Sequence, residues 1–283
     1  MLLLIIALIS LLSAVSSCLL SGAFLGLSWL WILPVGFIGT FLGLALLYFL
    51  FLCILAALVD PDKPQETDSK LYRTVITLTA RAVFPILGVR MHLQGLEKVP
   101  KDGRFMLVCN HIHILDPVVL LARMPQAQLA FISKRENRSM FLVGKFMHKI
   151  QCQPINREND REALKTILKC ISIIKEDKAS VGVFPEGYTS MDGLLHSFRS
   201  GVFKIAQKAN VPVVVCTVQN TNKVFSNFLK LKPTQVHLHV VDVIPAEELK
   251  GVTAVDVGER VHKLMADDLG PDLVLPKEKQ ETE

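Results

Sequence analysis

The first 59 of the 283 residues contain no Asp, Glu, Lys, Arg or His. All 31 basic and 26 acidic residues follow Val59, which makes that remainder about one-quarter charged, the share of a soluble globular domain. The mean hydropathy of +0.40 therefore averages an uncharged apolar leader with an ordinary folded domain. A wholly soluble protein, a disordered chain and a polytopic transporter are excluded by this division. The six cysteines (18, 53, 109, 152, 170 and 216) form no CxxC pair and no metal-ligand spacing. They read as buried free thiols of a reducing compartment, and a disulfide scaffold is excluded. No internal repeat occurs, and no low-complexity stretch beyond a charged tail at 277–283.

An apolar helix needs roughly 20 residues to cross the hydrocarbon core, so the leader is long enough for two spans. Spans are expected near 5–31 and 37–58, with a turn at Pro34-Val35-Gly36 preceded by Trp29 and Trp31, which suit a membrane interface. Gly22/Gly26 and Gly39/Gly43 give each span a small-xxx-small spacing. A signal peptide is disfavoured because no Lys or Arg precedes the apolar run and the run outlasts an h-region. Val15-Ser16-Ser17-Cys18 has only a superficial lipoprotein-box form. The first basic residues, Lys63, Lys70, Arg73 and Arg81, follow the second span, which places 60–283 in the cytoplasm by the positive-inside rule.

The expected organisation is a transmembrane helical hairpin at 1–59, a linker with an amphipathic interfacial helix at 60–84, and a domain at 85–283. In the linker region Leu71, Val75, Leu78 and Ala82 recur at helical spacing; a helix on the membrane and one packed on its own domain fit equally. Strands are expected at 104–109, 128–133, 151–155, 180–184, 211–218 and 235–243, and helices at 161–175, 201–209 and 255–268. Continuously apolar strands such as Val211–Val215 suit a sheet covered on both faces, and the alternation predicts one α/β domain.

Three segments carry chemistry. In Cys109-Asn110-His111-Ile112-His113-Ile114-Leu115-Asp116-Pro117, a buried strand ends in a loop, and Asp116-Pro117 has the form of an N-cap followed by proline. A carboxylate on one nitrogen of His111 fixes the tautomer, so the other nitrogen can take a proton. No serine completes a triad, so such a base acts on a substrate hydroxyl. A metal site of His111, His113 and Asp116 is the competing reading, although no second ligand cluster accompanies it; His237 and His239 read as sharing a solvated strand face. In Phe184-Pro185-Glu186-Gly187-Tyr188-Thr189-Ser190, Glu186 falls on a turn at a strand's carboxyl end, where α/β sheets gather ligands. The third is a basic set, Lys134, Arg135, Arg138, Lys145, Lys149, Arg157, Arg199 and Lys204, suited to a phosphate or to anionic headgroups. No aromatic interleaving accompanies it, so nucleic acid is not an expected partner.

Together these segments resemble the glycerolipid acyltransferase family, which includes 1-acyl-glycerol-3-phosphate acyltransferases. Its Asn-His-x4-Asp motif matches Asn110, His111 and Asp116; its Phe-Pro-Glu-Gly motif matches Phe184 to Gly187. Its basic motif and strand ending in Arg resemble Ser133-Lys134-Arg135-Glu136 and Ile155-Asn156-Arg157. Its Val-Pro strand resembles Val211-Pro212-Val213-Val214. The motifs stand in the family's order over roughly residues 85–220, and some bacterial members carry an N-terminal helical pair. The family often continues its third motif as Thr-Arg-Ser, where this chain has Tyr188-Thr189-Ser190. Either Arg199, Lys134 or Arg157 then supplies the phosphate grip, or the acceptor differs from lysophosphatidic acid.

The resemblance implies a mixed-sheet acyltransferase domain with flanking helices. It implies transfer from acyl-CoA or acyl-carrier protein to a lysophospholipid, with membrane lipids as partners and no metal or other cofactor. His111 and Asp116 are the implied catalytic pair. Asn110, Lys134, Arg157, Phe184, Pro185, Glu186, Gly187, Arg199 and Pro212 are the implied substrate-binding residues, with Gly187 near the oxyanion donors. A membrane-tethered metal-dependent hydrolase and a non-catalytic lipid-binding protein are the alternatives.

Overall fold

The computed structural model describes residues 2–157 and 159–276, so the charged tail at 277–283 lies outside the described residues. The chain forms two compact units, Met1–Lys63 and Pro64–Glu283.

In the first unit, α1 (Leu2–Leu20) and α2 (Trp29–Ala57) are each long and apolar enough to cross a membrane. At 1.5 Å per residue they extend about 28 and 43 Å. The turn lies at 21–28, not at the expected 34–36. Gly22 ends α1 in the left-handed region at φ 67°, its N–H donating to Leu19 O. Pro34 sits inside α2 near its start and removes one helical N–H donor without ending the helix. Gly22 and Gly26 thus form the turn and not a packing stripe. The close approach is instead at Gly36, where a Cβ would meet the Ala14 backbone at 3.4 Å, whereas Gly39 and Gly43 face open space. Thr40 Oγ1 donates to Ser13 Oγ at 3.3 Å across the pair.

The second unit is a mixed sheet of β1 (Val89–Gln94), β2 (Met106–Cys109), β3 (Leu129–Lys134), β4 (Gln153–Ile155), β5 (Ser180–Val183), β6 (Val213–Gln219) and β7 (Thr234–Ile244). The order is β1-β7-β6-β2-β5-β3-β4, and only the β6–β7 pair is antiparallel. Its helices are α3 (Lys70–Ile86), α4 (Asp116–Arg123), α5 (Phe141–Lys149), α6 (Asp160–Lys175), α7 (Lys204–Ala209), α8 (Val224–Leu229) and α9 (Ala254–Leu269). The α/β class and the covered sheet follow the sequence expectation. Met106, Val108, Val181, Val183, Val213 and Val215 pack with Ile173, Ile205 and Val261 of α6, α7 and α9. The alternate residues Leu107 and Cys109 point to the opposite face and are also fully buried.

Three local differences from expectation, and the packing of α3, have physical causes. Strand β1 was not anticipated: Val-Arg-Met-His-Leu-Gln is an edge strand whose single neighbour, β7, lies 145 residues on, from Val89 to Thr234. Strand β6 starts at Val213 because Pro212 has no N–H for a ladder, and Val211 N–H returns to Ala206 O. Helix α3 packs within the second unit, turning Arg73 inward to hold Asp68 and the carbonyls of Leu129 and Ile150. His237 is exposed and stacks on His92, whereas the half-buried His239 holds Asp268 at 2.6 Å.

Candidate active site

Parallel strands β2, β3, β4 and β5 point their carboxyl ends to one edge of the sheet, and the loops leaving them carry the polar cluster. Strand β2 delivers Asn110 and His111. The Asn110 amide is buried and bridges to β6, donating to Val218 O at 2.9 Å and accepting Val218 N–H at 2.7 Å. Asn110, expected as a substrate contact, has its side-chain amide bound to Val218 and pins the start of the loop that carries His111.

His111 Nδ1 lies 2.8 Å from Asp116 Oδ2. The same oxygen accepts the N–H groups of Ile112 and His113, each at 2.8 Å, while Oδ1 accepts the Thr221 hydroxyl. Asp116 is therefore not an N-cap: it opens α4 itself and turns back on the loop before it. Its fully buried carboxylate holds the imidazole with Nδ1 donating, which leaves Nε2 as the acceptor. The Phe184 ring stacks on the His111 ring with centroids 4.2 Å apart, and Phe131 stacks on Phe184 in turn.

Glu186 is 1% exposed and points inward. It accepts the His111 N–H at 2.7 Å, the Ser190 hydroxyl at 2.5 Å and the His196 N–H at 3.1 Å. The Ser190 N–H donates to His111 O at 2.7 Å, which ties the two loops together a second time. Burial raises the Glu186 carboxyl above its ordinary range, opposed by these three donors. Glu186, expected at the substrate, holds the His111 backbone.

Gly187 has φ 84°, a conformation that favours glycine, and the Arg199 side chain lies close above it, 2.9 Å from where a Cβ would stand. Its N–H donates to Phe184 O and is not available to an oxyanion. The Arg199 N–H donates to the carbonyl of the buried Pro185 at 2.8 Å, which lays the arginine along the Phe184–Gly187 turn. Arg157, half-buried after β4, is lowered below the ordinary guanidinium value by burial and then by the Arg199 charge, against an opposing effect of Glu136. Lys134, at the end of β3, is exposed and 3.5 Å from Glu136. Among the described residues, neither Arg157 nor Arg199 forms an ion pair with a carboxylate, and the two guanidinium groups are close enough for the Arg199 charge to act on Arg157.

Pro212 belongs to the opposite edge. It precedes β6, which runs parallel to β2 from Met106↔Val213 to Cys109↔Cys216, so the length of the strands separates it from His111. Its carbonyl accepts the Met106 N–H at 3.0 Å. It thus stands at the foot of the sheet, away from the loop that carries His111.

A metal reading does not fit these contacts. Both Asp116 oxygens receive N–H or O–H donors, and His113 Nδ1 takes the Leu115 N–H at 3.4 Å. No group of three His, Cys, Asp or Glu side chains among the described residues is placed to hold a metal ion. Thr221 is the site residue that sequence reading missed; it lies 105 positions from Asp116, and no local pattern marks it.

Residues 90–219 match the family model Acyltransferase. The matched stretch runs from β1 through the end of β6 and includes His111, Asp116 and the Phe184–Gly187 turn. The chain is 36% identical over 144 residues to the 1-acyl-sn-glycerol-3-phosphate acyltransferase BAT2, chloroplastic, of Brassica napus, covering 50% of this chain and 40% of that protein. It is 27% identical over 177 residues to the 1-acyl-sn-glycerol-3-phosphate acyltransferase of Borreliella burgdorferi, covering 58% and 66%. The chain thus spans two-fifths of the length of the first relative and just under two-thirds of the second. The fold is that of the crystal structure of the 1-acyl-sn-glycerophosphate (LPA) acyltransferase PlsC from Thermotoga maritima. The two agree with a TM-score of 0.61 at 22% identity, over 79% of this chain and 87% of that one.

Proposed function

We propose that the chain is a membrane-bound O-acyltransferase. It moves a fatty acyl group from acyl-CoA or acyl-carrier protein to the sn-2 hydroxyl of lysophosphatidic acid, forming phosphatidic acid. The observation that carries this reading is a histidine with one nitrogen held by a buried carboxylate and, among the described residues, no enzyme nucleophile beside it. The Ser190 hydroxyl is bound to Glu186 and that of Thr221 to Asp116. Burial holds the Cys109 thiol well above its ordinary range, with the Cys216 charge adding to the effect. The hydroxyl that His111 deprotonates therefore comes from the substrate.

In this mechanism His111 Nε2 takes the acceptor proton as the oxygen attacks the thioester carbonyl. Asp116 stabilises the imidazolium that forms. Collapse of the tetrahedral intermediate breaks the carbon–sulfur bond, and the imidazolium returns its proton to the departing thiolate, leaving an ester and a free thiol. Arg157 and Arg199 grip the acceptor phosphate bidentately, with Lys134 adding charge at the rim. No metal or prosthetic group takes part. Helices α1 and α2 anchor the enzyme in the bilayer that holds acceptor and product, with the catalytic domain cytoplasmic by the positive-inside rule.

The test is the purified full chain in lipid, supplied with acyl-CoA or acyl-carrier protein and a panel of lyso-acceptors and glycerol-3-phosphate. Formation of phosphatidic acid from lysophosphatidic acid is the expected result. Release of free fatty acid without ester formation, or dependence on a chelatable metal, contradicts the reading.

A further inference from the structure

The segment between β6 and β7 turns its apolar residues outward. Within and just after α8, Val224 is buried, whereas Phe225, Phe228, Leu229 and Leu231 are 45, 39, 81 and 92% exposed. This is no frayed loop. The Asn227 carbonyl accepts the N–H groups of Lys230 and Lys232 at 3.0 and 2.9 Å, and its side chain donates to Thr234 Oγ1. Leu231 itself sits in the left-handed region at φ 53°, an unfavourable conformation for a bulky residue, and presents its side chain to the outside.

The charges around this tip have one sign. Lys223, Lys230 and Lys232 are all exposed, and no Asp or Glu occurs between Asp192 and Asp242. Exposed Phe and Leu framed by lysines is the chemistry of a segment seated at the boundary of headgroups and acyl chains. Two copies meeting through this face would oppose like charges.

The patch is also continuous with the catalytic loop. Phe225 packs edge-on against the His113 ring, with centroids 5.3 Å apart. Thr221, three residues before α8 begins, holds Asp116. Ile114, in the loop between His111 and Asp116, is 60% exposed.

We infer that Phe225–Lys232 is a second membrane contact, distinct from α1 and α2, which seats in an anionic bilayer beside the mouth of the site. Insertion rests on exposure and charge alone; that the segment thereby admits a lipid acceptor to His111 rests on the acyltransferase reading.

The experiment uses the full chain carrying W29F and W31F, which removes both native tryptophans, with L231W as the reporter. It is reconstituted in phosphatidylcholine vesicles with and without phosphatidylglycerol, and quenching by lipids brominated near the headgroup end of the acyl chain is measured. The expected result is blue-shifted emission that the bromolipid quenches. Adding K223Q, K230Q and K232Q weakens the quenching in anionic vesicles. Water-like, unquenched emission overturns the inference, as does a blue shift that follows protein density and not bromolipid, which marks contact between copies. In a second arm, F228E with L231E raises KM for vesicle-borne lysophosphatidic acid by about tenfold and leaves a short-chain soluble acceptor unaffected. Equal loss on both acceptors contradicts the proposed access role. Absence of transfer by the unsubstituted enzyme would defeat the catalytic reading, while the quenching result still decides insertion.

Discussion

Asp116 Oδ2 sits 2.8 Å from His111 Nδ1 and at the same distance from the N–H groups of Ile112 and His113. One oxygen thus orients the imidazole and also closes the loop that carries it. An asparagine oxygen can receive the same three N–H groups while its NH2 meets the Thr221 hydroxyl, but the neutral amide lacks the negative charge that stabilises an imidazolium. D116N is expected to lower kcat by about 10²- to 10⁴-fold, the usual scale of a positioned general base. Steady-state kinetics on both substrates check this, with KM values close to those of the unsubstituted enzyme.

Thr221 reaches the other oxygen of the same carboxylate from across the sheet. T221V keeps the shape and removes the donor, leaving a fully buried carboxylate oxygen short of a partner at a cost of about 1–3 kcal/mol. Lower kcat with unchanged donor KM is expected, and T221S should restore the rate. Equal activity in T221V and T221S would show that the hydroxyl contributes nothing.

Asn110 is predicted to act on stability. N110A leaves the buried N–H and carbonyl of Val218 without their side-chain partners and parts the ends of β2 and β6. A loss of about 2–4 kcal/mol is expected from two such groups, read by chemical denaturation of the full chain in detergent micelles. Unchanged stability with reduced activity would return Asn110 to a substrate-contacting role.

Much of this site was legible in the sequence, and its limits are instructive. His111 with Asp116, and the Phe184–Gly187 turn, are local patterns at the ends of apolar strands, so each stands out as a candidate and the family resemblance joins the two. The partners that hold them come from elsewhere in the chain: Val218 for Asn110, Thr221 for Asp116, Ser190 and His196 for Glu186. Direction was also hidden. Glu186 on a glycine turn suggests an outward-facing acid, but three protein donors turn it inward. Pro212 has a motif's composition, yet the parallel register of β2 and β6 sets it at the far edge. In the leader, uniform hydropathy gives a period no hold, so the turn was assigned to Pro34 when Gly22 makes it.

The raised Glu186 carboxyl has a consequence for stability. A group that binds its proton more tightly when folded favours the folded state less as pH climbs from its unfolded to its folded value. Stability should therefore fall with rising pH across that window in the unsubstituted protein and lose this slope in E186Q. Thermal unfolding of the two proteins as a function of pH checks the sign; parallel curves would contradict it.

The central claim is that His111 takes the proton of a lipid hydroxyl during acyl transfer. The most direct measurement is ester formation from a radiolabelled thioester and lysophosphatidic acid by the full chain and by H111A, both in lipid and matched for thermal stability. The account predicts phosphatidic acid from the unsubstituted chain and a loss of about 10³-fold or more in H111A, the upper scale of general-base effects. Transfer by a folded H111A at a rate near that of the unsubstituted protein would contradict it.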